Sequence, residues 1–364
     1  MNTTSDTISR QAGRQAGRQA GRQAGRQAEL SDCNYVKTVL MLLVILYHSC
    51  ASWTGNWFDA VEVQQSVRVL QAFPVWLNSF HIYGFTLVSG FIYAYLQEQG
   101  HYKSIGGIAG KKFKRLIIPY AFACLAWVVP LSEYFYHCSG SYLINKYALG
   151  IAPSQLWFLL MLFDVFILAW LLEPIFKKSI ISPVAVGILS YEVCLVGAHL
   201  LPNVYQIWMG FEYLPVFVLG YKLWQDDKQS WIQKPILWMV LHTVTFVLIH
   251  VMPDAGIVVK ISRLGFEFLN HLFGAMMAFT VLQWIAARVN YQKSIVYKTL
   301  SKHSMTIYLF HQQIIYFVIW YLNGKVNSVL IAVFNFIISL LLSLAISIFL
   351  SKFKVTRFLI GEKA

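Results

Sequence analysis

The feature that most limits this chain is a succession of apolar runs, each about as long as a bilayer crossing, that begins near residue 36 and ends near residue 350. A hydrocarbon core takes ~20 helical residues to span. Backbone in lipid must satisfy its own hydrogen bonds, which leaves helices or a closed barrel, and long unalternating runs select helices. Spans are expected roughly at 36–53, 76–96, 113–132, 155–175, 181–201, 207–224, 235–252, 265–287, 304–322 and 327–350. The expected fold class is all-α, a polytopic membrane bundle of about ten transmembrane helices. The gaps between runs are too short for a soluble domain. The expected organisation is a disordered tail at 1–35, a membrane unit at 36–352 and a short tail at 353–364.

Composition enters where soluble alternatives are weighed. Hydrophobic residues make up 57% and charged residues 12%, against about a quarter charged in a soluble domain. The formal charge of +13 would suit nucleic acid, but the basic residues fall in short clusters between apolar runs, so no nucleic-acid partner is expected. Lys111, Lys112, Lys114 and Arg115, then Lys177 and Lys178, then Lys222, Lys228 and Lys234, then Arg288, Lys293, Lys298 and Lys302 occupy every second gap. By the positive-inside rule both ends lie in the cytoplasm. Residues 1–35 are polar and Arg-rich, without the apolar stretch of a cleavable signal, so the first span is expected to direct insertion. The five cysteines show no metal-ligand spacing and read mostly as packed thiols, with Cys50 and Cys138 both expected near the outer surface and a pairing between them left open.

Residues 10–28 repeat Arg-Gln-Ala-Gly with Arg10, Arg14, Arg18, Arg22 and Arg26 in strict register. Such a segment has no apolar face to bury and is expected to be disordered. Its period also matches the reading of a CAGG tetranucleotide tract, three copies of which fill four codons. Slippage in that tract would shift the frame, an expectation of phase-variable expression in a host-associated bacterium.

In the first span Lys37 and His48 are eleven residues apart. At 100° per residue this brings them to one helix face, ~16 Å apart along the axis. Taken alone, Lys37 reads as a side chain snorkelling to the interface and His48 as a capping or hydrogen-bonded residue. Ionisable groups inside a span are nevertheless costly and default to functional candidates.

Further segments stand in a set order: Phe80-His81-Ile82-Tyr83-Gly84-Phe85 running into Ser89-Gly90-Phe91, then Lys114-Arg115-Leu116-Ile117-Ile118-Pro119-Tyr120, Leu156-Trp157-Phe158-Leu159, Phe217-Val218-Leu219-Gly220-Tyr221, and Ser304-Met305-Thr306-Ile307-Tyr308-Leu309-Phe310-His311. With the Lys37–His48 spacing they resemble the acyltransferase-3 family of membrane sugar O-acyltransferases across about residues 33–350. The resemblance implies acetyl transfer from cytoplasmic acetyl-CoA to a hydroxyl of a glycan or lipid-linked glycan in the bacterial inner membrane, the product being a modified lipopolysaccharide, O-antigen, capsule or exopolysaccharide. It places the catalytic histidine at His48 and its basic partner at Lys37, and an RxxR-like donor motif at Lys112 and Arg115, with Lys in the first position. The acidic residue three before the basic one is Asn34 here, so any such carboxylate is absent or moved to Asp32.

The chemistry agrees. A neutral imidazole can take the proton of a poorly nucleophilic hydroxyl, a contribution of ~10²–10⁴-fold. CoA phosphates need cations at the cytoplasmic mouth, where Lys37, Lys112 and Arg115 are expected. Ser89 and Tyr308 are candidate oxyanion donors, although Ser89-Gly90 also reads as a close-packing site. His81 and His311 are candidate cavity residues, equally readable as hydrogen-bonded core histidines. Asp164, Glu173 and Glu192 rank lower, and Gly106-Gly107 reads as a loop hinge. No metal site and no bound cofactor are expected. Two other classes fit the bundle: a transporter or flippase for a lipid-linked sugar, and a non-catalytic scaffold, which leaves the shared face of Lys37 and His48 without a purpose.

Overall fold

The computed structural model describes residues 30–55, 60–63, 67–178, 181–225, 234–253 and 256–362. The repeat tract at 10–28 lies outside these residues, as does Lys228. Helices make up nearly all of the described chain, and no strand occurs among the described residues. The long helices are α1 (Leu30–Thr54), α2 (Arg68–Asn78), α3 (His81–Glu98), α4 (Ile105–Tyr136), α5 (Trp157–Phe176), α6 (Ile181–Leu200), α7 (Ile207–Gln225), α8 (Pro235–Val251), α9 (Gly256–Ala286), α10 (Ile295–Leu322) and α11 (Ser328–Leu350), followed by the short α12 (Lys354–Leu359).

Seven of them, α1, α4, α5, α6, α9, α10 and α11, are long and apolar enough to cross a membrane. The other expected spans fall on α3, α7 and α8. Helix α8 has 17 residues, whereas α3 and α7 carry charge or amide groups (Gln97 and Glu98; Glu212 and Lys222) that a lipid-facing helix would avoid. Their position explains this tolerance. Helices α3 and α7 pack against each other, α9 also packs on α3, and α5 and α6 pack on α7, so neighbouring helices rather than lipid receive Gln97, Glu98 and Glu212. The expected span at 76–96 is corrected at its start: α2 ends at Asn78 and α3 begins at His81. His81 Nδ1 donates to the Leu77 carbonyl at 2.6 Å and so satisfies one of the last acceptors of α2.

Helices α3 and α7 touch backbone to backbone. A Cβ on Gly90 would lie 2.0 Å from the Phe217 carbonyl oxygen, and one on Gly220 would lie 2.0 Å from the Leu87 carbonyl oxygen. Only glycine permits this crossing. Nearby, Glu173 of α5 accepts hydrogen bonds from Tyr93 Oη (2.9 Å), Gln97 Nε2 (2.9 Å) and Tyr221 Oη (3.1 Å), tying α3, α5 and α7 together at one end.

Helix α11 shows the polarity inversion of a membrane bundle. Asn335, Ser339, Ser343 and Ser347, four residues apart, are fully buried, while Leu341, Leu342 and Phe349 of the same helix are exposed. Small residues allow close approach to α10, the main neighbour of α11. In α4 two prolines set the geometry. Pro119 and Pro130 cannot donate to a preceding turn, and the helix widens before each into a π turn, at Phe113–Ile117 and Cys124–Val128. Gly106 and Gly107 are not a loop hinge: they form the first turn of α4, where Ser104 Oγ accepts from the Gly107 N–H at 3.2 Å. Beyond α12 the chain folds back, with Ile360 fully buried and Gly361 (φ +74°) lying over Pro119 and the Arg115 carbonyl. All five cysteines are free, so Cys50 and Cys138 do not pair.

Candidate active site

Helix α1 carries both of the ionisable residues singled out in the first span and delivers them to different surroundings. His48, near the end of α1, is buried with 8% exposed, beside His311 of α10 (0%) and His81 of α3 (1%). His48 Nδ1 stands 2.7 Å from His311 Nε2, and the two rings are 4.8 Å apart. Tyr47 lies against both His48 (4.9 Å) and His81 (5.1 Å), filling the space between α1 and α3. Residues far apart in sequence thus form a cluster of three imidazoles in the bundle interior.

The neighbouring chain is built to hold this cluster still. In the turn before α5, Gln155 is buried. Its Nε2 donates to the Leu309 carbonyl at 2.8 Å, and its side chain exchanges hydrogen bonds with the Gln313 amide at 2.8 and 3.1 Å. Tyr308 Oη donates to the main-chain carbonyl of Gln155. Asn335 Nδ2 of α11 donates to the Ser49 carbonyl at 3.0 Å, fixing the end of α1. The hydroxyls expected as oxyanion donors are therefore committed elsewhere: Tyr308 to Gln155, and Ser89 Oγ to the Phe85 carbonyl of its own helix at 2.9 Å.

Two residues beyond His81, α3 contributes to a second polar group. Tyr83 Oη donates to Glu212 Oε1 at 2.7 Å and stands 2.9 Å from His271 Nε2. Its single proton goes to the carboxylate, so the imidazole N–H donates to the phenol oxygen. The Tyr83 ring stacks on Tyr213 at 4.5 Å with 7° between planes. Sequence reasoning passed over Glu212, Gln155, Gln313 and Tyr47. A carboxylate inside an apolar run was the available signal for Glu212, and the amide directly before the Leu156-Trp157 segment was the signal for Gln155.

Toward the start of α1 the chemistry changes from imidazole to cation. Lys37 and Lys112 each lie within electrostatic reach of Arg115, and Lys112 also lies within reach of Lys37 and Lys111. No carboxylate makes an ion pair with Lys37, Lys112 or Arg115 among the described residues. Lys112 Nζ rests on the Phe166 ring, 3.3 Å from its centre. Lys37 and Lys112 are half-buried and Arg115 is exposed, so like charges gathered without a counter-ion repel one another and are relieved when an anion joins them, and Lys112 and Arg115 sit at the wide turn at Phe113–Ile117. Asp32 does not serve them, because it accepts from Tyr291 Oη at 2.7 Å. Burial raises the Tyr291 phenol above its ordinary pKa, with the Asp32 carboxylate adding to the shift, so it remains a donor. Asn34 is exposed.

The site is thus a buried imidazole cluster around His48 and, about three turns lower on α1, a cation cluster of Lys37 with Lys112 and Arg115 of α4 that has no ion-paired carboxylate among the described residues. Neither a curated protein nor a solved structure matches the chain. The sequence profile of the acyltransferase-3 family, described as an acyltransferase domain, matches residues 31–351 and so contains α1 through α11 almost entire. The chain belongs to the acyltransferase-3 family and is a membrane acyltransferase.

Proposed function

We propose that the protein is an O-acetyltransferase that moves an acetyl group from cytoplasmic acetyl-CoA to a hydroxyl of a cell-surface glycan or its lipid-linked precursor, in the inner membrane of a bacterium. The observation that carries this reading is the pairing, along α1, of a buried histidine with a cluster of cations lacking a counter-ion among the described residues. Lys37, Lys112 and Arg115 are suited to the phosphates of CoA. From there the pantetheine arm would run along α1 toward His48. The acceptor hydroxyl gives its proton to His48 as its oxygen bonds to the acetyl carbon, the carbon–sulfur bond breaks, and the proton passes to the departing thiolate. Lys37 stays with the donor, and His48 is the general base.

Acceptor-dependent release of CoA thiol tests this. The purified protein in lipid nanodiscs receives acetyl-CoA with or without lipopolysaccharide or capsule from which ester-linked acetyl groups have been stripped by mild base. Thiol release that needs the glycan, with one acetyl mass gained per modified unit, is expected. Binding or movement of the glycan without thiol release would instead favour the flippase reading.

Ten crossings with both ends in the cytoplasm go with this proposal. In a Cys138→Ser background, a cysteine at Ser104 should react with an impermeant maleimide only from the cytoplasmic side, and one at Ser141 only from outside; both positions are exposed. The reverse labelling would invert the bundle and place the cations on the wrong side for CoA. Phase-variable expression through residues 10–28 belongs to the same proposal. Reading the codons decides it, since any tract other than CAGG repeats removes the mechanism.

A further inference from the structure

The direction of one buried hydrogen bond decides which nitrogen of His48 can take a proton. His311 Nδ1 lies 2.8 Å from the main-chain carbonyl of Tyr308, one turn back on α10. A carbonyl oxygen only accepts, so the proton is on Nδ1, and in the neutral ring Nε2 carries the lone pair. That Nε2 stands 2.7 Å from His48 Nδ1. Two lone pairs cannot form this bond, so in the neutral pair His48 donates from Nδ1 and holds its own lone pair on Nε2.

We infer that His311 is a positioning residue for the transfer: anchored by the Tyr308 carbonyl, it fixes His48 in the Nδ1–H tautomer with Nε2 as the base, and it accepts from the imidazolium formed when the hydroxyl proton arrives. The inference rests on His48 being the base. As the acceptor oxygen bonds to the acyl carbon, its proton moves to His48 Nε2, and as the carbon–sulfur bond breaks, Nε2 returns that proton to the thiolate. During both steps His48 Nδ1–H keeps one acceptor, His311 Nε2. An aspartate performs this service in Ser-His-Asp sites. A neutral imidazole performs it without placing a permanent second charge in the bundle interior, where a carboxylate unpaired in the resting state would be costly. The anchor is itself held, because Tyr308 Oη is bonded to Gln155, and Gln155 in turn to the Leu309 carbonyl and the Gln313 amide.

Two substitutions separate this role from packing. His311→Phe keeps a ring of similar volume and removes the acceptor, whereas His311→Gln places an amide oxygen where Nε2 stood. The Phe variant is expected to lose at least about a hundredfold in kcat, the scale of a misdirected general base. Its KM for acetyl-CoA should stay within about twofold, because the cations lie about three helical turns away, ~16 Å along α1. The Gln variant is expected to keep kcat within about tenfold of the parent. In ¹⁵N NMR of histidine-labelled protein, the signals lost in His48→Ala should be those of an Nδ1–H tautomer. A merely structural role would reduce the yield of folded protein in both variants and leave the tautomer unconstrained. A folded Gln variant as inactive as Phe, a Phe variant with parental kcat, or His48 protonated on Nε2 would each overturn the inference. Where His311→Phe does not fold, the Gln variant and the NMR signal decide. His48→Ala in the same series keeps the two ideas apart. If it is inactive while His311→Phe is active, only the positioning role falls; if it is active, the base itself is misassigned.

Discussion

His48→Ala should yield a folded, inserted protein in which acetyl transfer is lost by ~10²–10⁴-fold, the usual contribution of a positioned general base. This corresponds to about 3–5 kcal/mol of transition-state stabilisation at 1.36 kcal/mol per tenfold. Alanine suits the helix, but it also strips His311 Nε2 of its partner at 2.7 Å. An orphaned buried acceptor costs ~1–3 kcal/mol, so a modest fall in thermal stability accompanies the loss of activity. His48→Asn is the control for that side effect. Its amide N–H sits where Nδ1 was and can still donate to His311, yet the amide cannot usefully take a proton. It should restore stability and remain as inactive as Ala. Steady-state thiol release and thermal unfolding in detergent measure the two quantities separately. A His48→Asn protein within a fewfold of parental activity would remove His48 from the chemistry.

The sequence carried the bundle because a hydrocarbon solvent leaves the chain little choice of secondary structure, and it brought Lys37 and His48 to one face because helical periodicity is rigid over three turns. Partners were beyond its reach. His311 is 263 residues from His48, and neither periodicity nor composition says which distant helix will supply the neighbour. The same holds for Glu212, whose place beside Tyr83 depends on the crossing of α3 and α7. Span boundaries failed where a helix stops inside an apolar run, as at Ser79 and Phe80, because the break is satisfied by a side chain, His81, rather than announced by glycine. Helix α11 is the opposite case. Asn335, Ser339, Ser343 and Ser347 spell out its inward face at a four-residue interval, and in a membrane the polar stripe, not the apolar one, marks the side that faces protein.

Gly90→Ala and Gly220→Ala should each prevent α3 and α7 from meeting, with a larger loss of stability than any surface change in the chain. In both positions the added methyl group would stand 2.0 Å from a carbonyl oxygen of the opposite helix. The obstruction is backbone, so no rotamer change relieves it, and the helices must separate by more than an ångström. Overpacking by one methylene in a core costs ~1–3 kcal/mol where side chains can yield, and here they cannot. Separation would also pull Tyr93 and Tyr221 away from Glu173, leaving a buried carboxylate with fewer donors. Gly106→Ala supplies the contrast, since nothing lies within 4 Å of its Cβ, and relief of glycine's helix penalty should stabilise it by up to about 1 kcal/mol. Size-exclusion profiles and thermal unfolding in detergent are the measurements. Parental unfolding temperatures for Gly90→Ala and Gly220→Ala would mean that α3 and α7 do not cross at these glycines.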